Sequence, residues 1–169
     1  MTVSMYSASV PVLQQLLGSL STILARAEAY ASERKIDADA YLQARLFPDM
    51  FPLLRQVQIA CDFAKGIGAR LADVPVPVYD DSERSFDELQ ALIAKTRAFL
   101  DGLEPALFEG AAEREIVLRA GTPKERRFGG HDYLVHYGLP QFFFHATTAY
   151  AILRSNGLDI GKRDFMGQY

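Results

Sequence analysis

Apolar residues recur at spacings of three and four along four separate stretches of this chain, and that repeat limits the possible folds most. In the first stretch, from about Val10 to Tyr30, Val10, Leu13, Leu17, Leu20, Leu24 and Ala27 form one stripe, the pattern of an amphipathic helix. Ser7 or Ser9 can cap it, and Pro11 suits a first turn, where no amide bond is lost. The second stretch begins near Pro48 and runs to about Leu71. Leu53, Leu54, Val57, Ile59, Ala60, Cys61, Phe63, Ala64 and Ile67 cover a broad arc, with Arg55, Gln58, Asp62 and Lys65 opposite. Gln56 falls inside the apolar arc. The third opens at "SFDE", where Ser85 and Glu88 have capping-box spacing, and carries Phe86, Leu89, Ile93, Thr96, Leu100 and Leu103. The fourth runs from about His131 to Asn156 and stops at Gly157, a C′ residue.

Between these stretches, "ASERKIDADAYLQARLF" reads as a polar connection with one short helical turn. Pro75 and Pro77 make "ADVPVPVYDDSER" extended rather than helical. In "REIVLRAGTPKERRF", Ile116 and Leu118 alternate with polar residues before a turn at Gly121 to Pro123, which predicts a small β-hairpin. The tail "LDIGKRDFMGQY" is expected to lie back through Ile160, Phe165 and Met166. The sum is an all-α four-helix bundle, one domain over residues 1–169, with a hairpin between helices three and four. The proline-rich linker is long enough to cross the bundle, which would let helices two and three run parallel.

A net charge of −3 argues against a nucleic-acid partner, which calls for a concentrated basic face. No window approaches the ~20 apolar residues of a membrane span, and the N-terminus lacks a secretory pattern. The single cysteine, Cys61, forms no internal disulfide and reads as a small buried hydrophobe. A soluble cytoplasmic protein is the expectation. Arg114, Arg119, Lys124, Arg126 and Arg127 interleave with Glu113, Glu115 and Glu125, so a solvated hairpin is a better reading than a phosphate patch. "GIGAR" at Gly66 to Arg70 sits late in a helix, the wrong context for a phosphate loop.

The polar residues that demand a reason are Gln141 and His145, one turn apart on the inward stripe of helix four. Pro140 can kink the helix just before them. Such a pair presents two side chains to one ligand, but a glutamine amide is a poor partner for zinc or nickel. A cluster of Gln56, Gln141 and His145 bonded to one another is favoured over a metal site, because buried polar groups need partners. His136 points to the opposite side, as a surface or interface histidine. His131 sits at the helix start, where its neutral ring can satisfy a free amide. Leu139, Phe143 and Tyr150 form an outer apolar stripe, to be covered by the hairpin and tail or by a second copy in a homodimer.

The strings "GLPQFFFHATTAYAILRSNG", "FPDMFPLLRQVQIACDFAKG" and "GKRDFMG" resemble a bacterial family, a domain of unknown function in the DinB/YfiT-like superfamily of metal-dependent proteins. The resemblance covers nearly the whole chain. It implies an up-down-down-up four-helix bundle that often dimerises. It also implies a divalent-metal site built from one histidine on helix two and an H-x-x-x-H pair on the last helix. His145 matches the second histidine of that pair, Gln141 stands at the first, and Gln56 is the candidate for helix two. Two of three ligands are thus glutamine, a degenerate metal site. The preferred reading is a small-molecule-binding pocket around His145, Gln141 and Gln56. The alternatives are a divalent-metal-dependent transferase or hydrolase using His145, and a dimeric interaction module without a site.

Overall fold

A computed structural model describes residues 3–169. The first amphipathic stretch forms α1, Val10–Glu33, with Pro11 in its first turn. A short helix, α2, Ala38–Leu42, follows, its N-terminus capped by Asp37. The next long helix, α3, spans Leu53–Ala72 and starts five residues later than the apolar arc suggests. Proline explains the delay: Pro52 pushes Phe51 out of helical backbone, so the loop lasts until Pro52 sits at the N-cap, extended at φ −70° and ψ 167°. Helix α4, Phe86–Asp101, is capped by the Ser85 hydroxyl, which accepts from the Glu88 amide at 3.2 Å.

The linker between α3 and α4 folds back along α3. Arg55 pairs with Asp81 at 2.6 Å, and Gln58 donates to Glu83 at 2.8 Å. The Lys65 ammonium lies 3.7 Å from the Tyr79 ring centre. Having returned the chain to the start of α3, the linker lets α4 run parallel to it. Gly68 near the end of α3 faces Leu100 and Leu103 near the end of α4, where a methyl group would come within 2.6 Å of Leu100. Close helix contact therefore accounts for that glycine. Helix α4 runs antiparallel to α1, since Gln14 reaches Asp101 at 2.8 Å while Ser21 reaches Gln90 at 2.6 Å.

A single 3₁₀ turn, Pro105–Phe108, leads to a two-stranded antiparallel hairpin of β1, Glu115–Leu118, and β2, Arg126–Gly129. The last long helical segment then comes in three pieces: a turn α5, Gly130–Asp132, a π-helical stretch Tyr133–Gly138, and α6, Leu139–Ser155. In the middle piece the Leu139 amide bonds to the Leu134 carbonyl, five residues back. Pro140 has no amide hydrogen and its ring would crowd the preceding turn. The wider turn relieves that conflict where a regular helix would kink. Helix α6 packs antiparallel on α3, with Gly138 against Ile67 and His145 against Gln56.

These directions give the up-down-down-up arrangement of α1, α3, α4 and α6. Leu13, Leu17, Leu24, Leu53, Val57, Ile67, Leu89, Phe142 and Ile152 fill the core. The tail helix α7, Lys162–Met166, docks on α1, where Gln15 donates to the Met166 carbonyl at 2.8 Å. Phe165 covers Tyr150, with ring centres 5.8 Å apart, so one residue of the outer stripe is already covered. Among the described residues, no helix is long and apolar enough to cross a membrane.

Candidate functional site

Of the three polar residues singled out, the fold brings two together. Gln56 on α3 is 1% exposed and His145 on α6 is 8% exposed, and His145 Nδ1 lies 2.7 Å from Gln56 Oε1. The other end of the amide fixes its orientation, since Gln56 Nε2 donates to the Phe51 carbonyl at 3.0 Å. A carbonyl can only accept, so Oε1 faces the imidazole and the ring proton sits on Nδ1. The ring is neutral: burial holds its pKa below the ordinary value, helped by the positive charge of Arg55. His145 Nε2 has no hydrogen-bond partner among the described residues. Among the described residues no sealed side-chain nitrogen or oxygen lacks a partner, so Nε2 reaches solvent.

Gln141 goes elsewhere. It is half-buried and lines a depression with Leu118, Arg119, Lys124, Arg126 and Tyr137, between the hairpin and α6. Among the described residues it makes no hydrogen bond to Gln56 or His145. The expected three-way cluster is therefore a two-way pair. Gln141 and His145 are one turn apart in the same regular helix, but the hairpin lies over the start of α6 and the Gln141 side chain lines the depression with its residues.

Rings frame the pair. Phe63 stacks on His145 at 5.9 Å between centres and 14° between planes, and Phe144 meets it edge-on at 5.2 Å. The row continues from Phe63 to Tyr137 at 6.0 Å and from Tyr137 to Phe128 of the hairpin at 5.4 Å. Phe63 also lines a cleft of about 520 Å³ between α3, the returning linker and the hairpin, together with Ile59, Tyr79, Arg70, Tyr133 and Tyr137. Sequence reasoning missed this cleft, because its walls come from segments far apart in the chain. The signal that could have found it was Lys65, a charged residue now 5% exposed, which pairs with Asp62 at 2.6 Å beneath Tyr79.

The donor set does not fit a divalent metal held by protein side chains. Both ends of the Gln56 amide are committed, Gln141 faces the hairpin, and Asp62 is tied to Lys65. Among the described residues no group of three His, Cys, Asp or Glu side chains lies close enough to hold an ion. His145 Nε2 is left as one ligand where three are usual. The remaining candidates fall where simple packing puts them. Cys61 is buried, and burial pushes its thiol up to about 12, far from a reactive thiolate. His136 is exposed. His131 is exposed too, and its ring meets the Asp132 carboxylate at 3.2 Å rather than a free amide.

Comparison with known proteins agrees with this architecture. The chain matches the solved structure of a DinB family member protein from Shewanella denitrificans with a TM-score of 0.91 and 38% identity, covering 97% of this chain and 92% of that one. No curated protein matches it. Residues 5–166 match the model of a domain of unknown function, DUF1993. The chain thus belongs to the DUF1993 family and is built as a DinB-like helical bundle.

Proposed function

We propose that this protein binds a small molecule without a resident metal, in the cleft that Phe63 walls, with the Gln56–His145 pair as polar support behind that wall. The observation that carries this reading is the closed amide: Gln56 is bonded to His145 at one end and to Phe51 at the other, leaving no second side-chain ligand beside the imidazole among the described residues. Phe63 links the pair to the cleft, since it stacks on His145 and lines the larger depression. Aromatic walls with a few polar groups are the usual make-up of small-molecule sites.

The competing reading is a divalent-metal-dependent transferase or hydrolase. One feature favours it: a histidine whose Nδ1–H is held by an oxygen while Nε2 reaches solvent has the arrangement of a metal-bound imidazole. Metal analysis of protein purified without a histidine tag decides between them, together with melting in the presence of zinc or nickel. The expected result is no stoichiometric metal and no rise in melting temperature. Stoichiometric metal that disappears in His145→Ala would overturn the metal-independent reading. A homodimer is a separate proposal, supported by the exposed rings of Phe143 and Phe144 on α6.

A further inference from the structure

The hairpin carries a basic group that the interleaved sequence conceals. Residues 126 and 127 point to opposite faces of β2, as neighbours in a strand must. Arg127 gathers the hairpin's acidic side chains, pairing with Glu115 at 3.1 Å and with Glu125 at 2.8 Å. Glu125 is held further by the Gly121 amide at 2.7 Å. On the other face Arg119, Lys124 and Arg126 converge with Tyr137 and Gln141 on a niche of about 220 Å³. No carboxylate lines that niche, and among the described residues none of its three cations forms an ion pair.

The niche adjoins the cleft, and Leu118, Arg119 and Tyr137 line both. Within the cleft Arg55 is paired with Asp81 and Lys65 with Asp62, while Arg70 donates to the Tyr133 hydroxyl at 3.2 Å. What the cleft offers is apolar and aromatic wall: Ile59, Phe63, Val76, Pro77 and Tyr79. Arg119 stands at the junction in left-handed backbone, φ +53°, a conformation that is costly for a residue with a side chain.

We infer that cleft and niche form one bipartite site for a small organic anion, the apolar body lying against the cleft rings. Its phosphate or carboxylate group is received by Arg119, Lys124, Arg126 and Gln141. This rests on the cleft being the small-molecule site. It reverses the solvated-hairpin expectation: counted along the chain the charges nearly cancel, whereas folded they are sorted by face. Cations without ion-pair partners around a hollow with no carboxylate in its lining recognise an anion through charge-assisted hydrogen bonds, and a glutamine amide adds a neutral donor.

Amide NMR titration of the isotope-labelled full chain tests the inference with three probes: phenyl phosphate, inorganic phosphate and benzyl alcohol. Phenyl phosphate is expected to bind at least about tenfold more tightly than either of the others, shifting residues 118–126 and 137–141 together with cleft residues. Lys124→Gln with Arg126→Gln, two residues that line the niche and not the cleft, should weaken phenyl phosphate at least about tenfold and leave benzyl alcohol unchanged. Both side chains are exposed, and an otherwise unaltered spectrum verifies the variant's fold. Phenyl phosphate binding no tighter than benzyl alcohol, or indifferent to the double substitution, overturns the anion assignment while keeping the cleft as the binding site. Shifts from none of the probes in either region overturn both.

Discussion

Gln56 and His145 hold each other across the interface of α3 and α6, Oε1 to Nδ1 at 2.7 Å, and neither has another polar side chain within bonding distance among the described residues. Gln56→Leu leaves a buried ring N–H without an acceptor, which should destabilise the fold by about 1–3 kcal/mol. Replacing both, as Gln56→Leu with His145→Phe, should cost less than the sum of the single changes, since no orphan remains. Urea denaturation of the four proteins measures the coupling. Strict additivity would contradict the pairing.

The same pair sets a pH dependence. Burial lowers the native pKa of His145 below its ordinary 6.5, so the unfolded chain takes up a proton that the folded one refuses. Stability contributed by the neutral ring is complete above that value and falls as the pH drops below it. His145→Asn should flatten the stability–pH curve in that window. An unchanged slope would mean that another group carries it.

Gly138 gives the clearest packing test. A methyl group there would lie 2.8 Å from Ile67 Cγ1 and 3.3 Å from the Tyr133 carbonyl. Gly138→Ala should therefore destabilise by about 1–3 kcal/mol despite alanine's better helix propensity. Ile67→Val in the same chain should recover part of the loss, read by thermal melting. A stabilised single variant would show that the two helices separate freely.

Lys65 is buried under Tyr79 and paired with Asp62, whose side chain is 36% exposed. Lys65→Met keeps the length and removes the ion, so its effect on stability should be near neutral. Asp62→Ala strands the ammonium; because water reaches that carboxylate, the loss should be modest, about 1 kcal/mol. Chemical denaturation ranks the two, and the reverse order would mean that the carboxylate contributes nothing.

Phe143 and Phe144 are 37% and 55% exposed on adjacent positions of α6. If a second copy covers them, light scattering at micromolar concentration should give twice the chain mass, and Phe143→Ser with Phe144→Ser should halve it. A monomer mass for the parent protein removes the dimer.

The bundle was legible because periodicity reports which face of a helix is buried, and α1, α4 and α6 end within a few residues of where the pattern stops. The length of the linker allowed α3 and α4 to run parallel, and the family resemblance implied that they do. The start of α3 was misplaced because an apolar run outlasts the helix when a proline interrupts it: Pro52 outweighs Phe51 and its neighbours. The pair of Gln56 and His145 was visible as two polar residues on two apolar arcs. Gln141 does precede His145 by one turn of the same regular helix, but the hairpin packs over that end of α6 and the Gln141 side chain lines the hairpin niche instead. The niche and cleft were out of reach, since strand pairing decides which of Arg126 and Arg127 meets the glutamates.

The π-helical stretch Tyr133–Gly138 divides the last helical segment into two independently aimed halves. Compared with an α-helix it absorbs about one extra residue per turn, a rotation of roughly 100°. Tyr133 and Tyr137 are thereby directed to the hairpin while His145 keeps its line to Gln56. Shortening this stretch by a single residue would swing one half around the axis while the other stayed seated. Ring row and imidazole are thus phased by a local insertion, and either can be redirected without rebuilding the bundle.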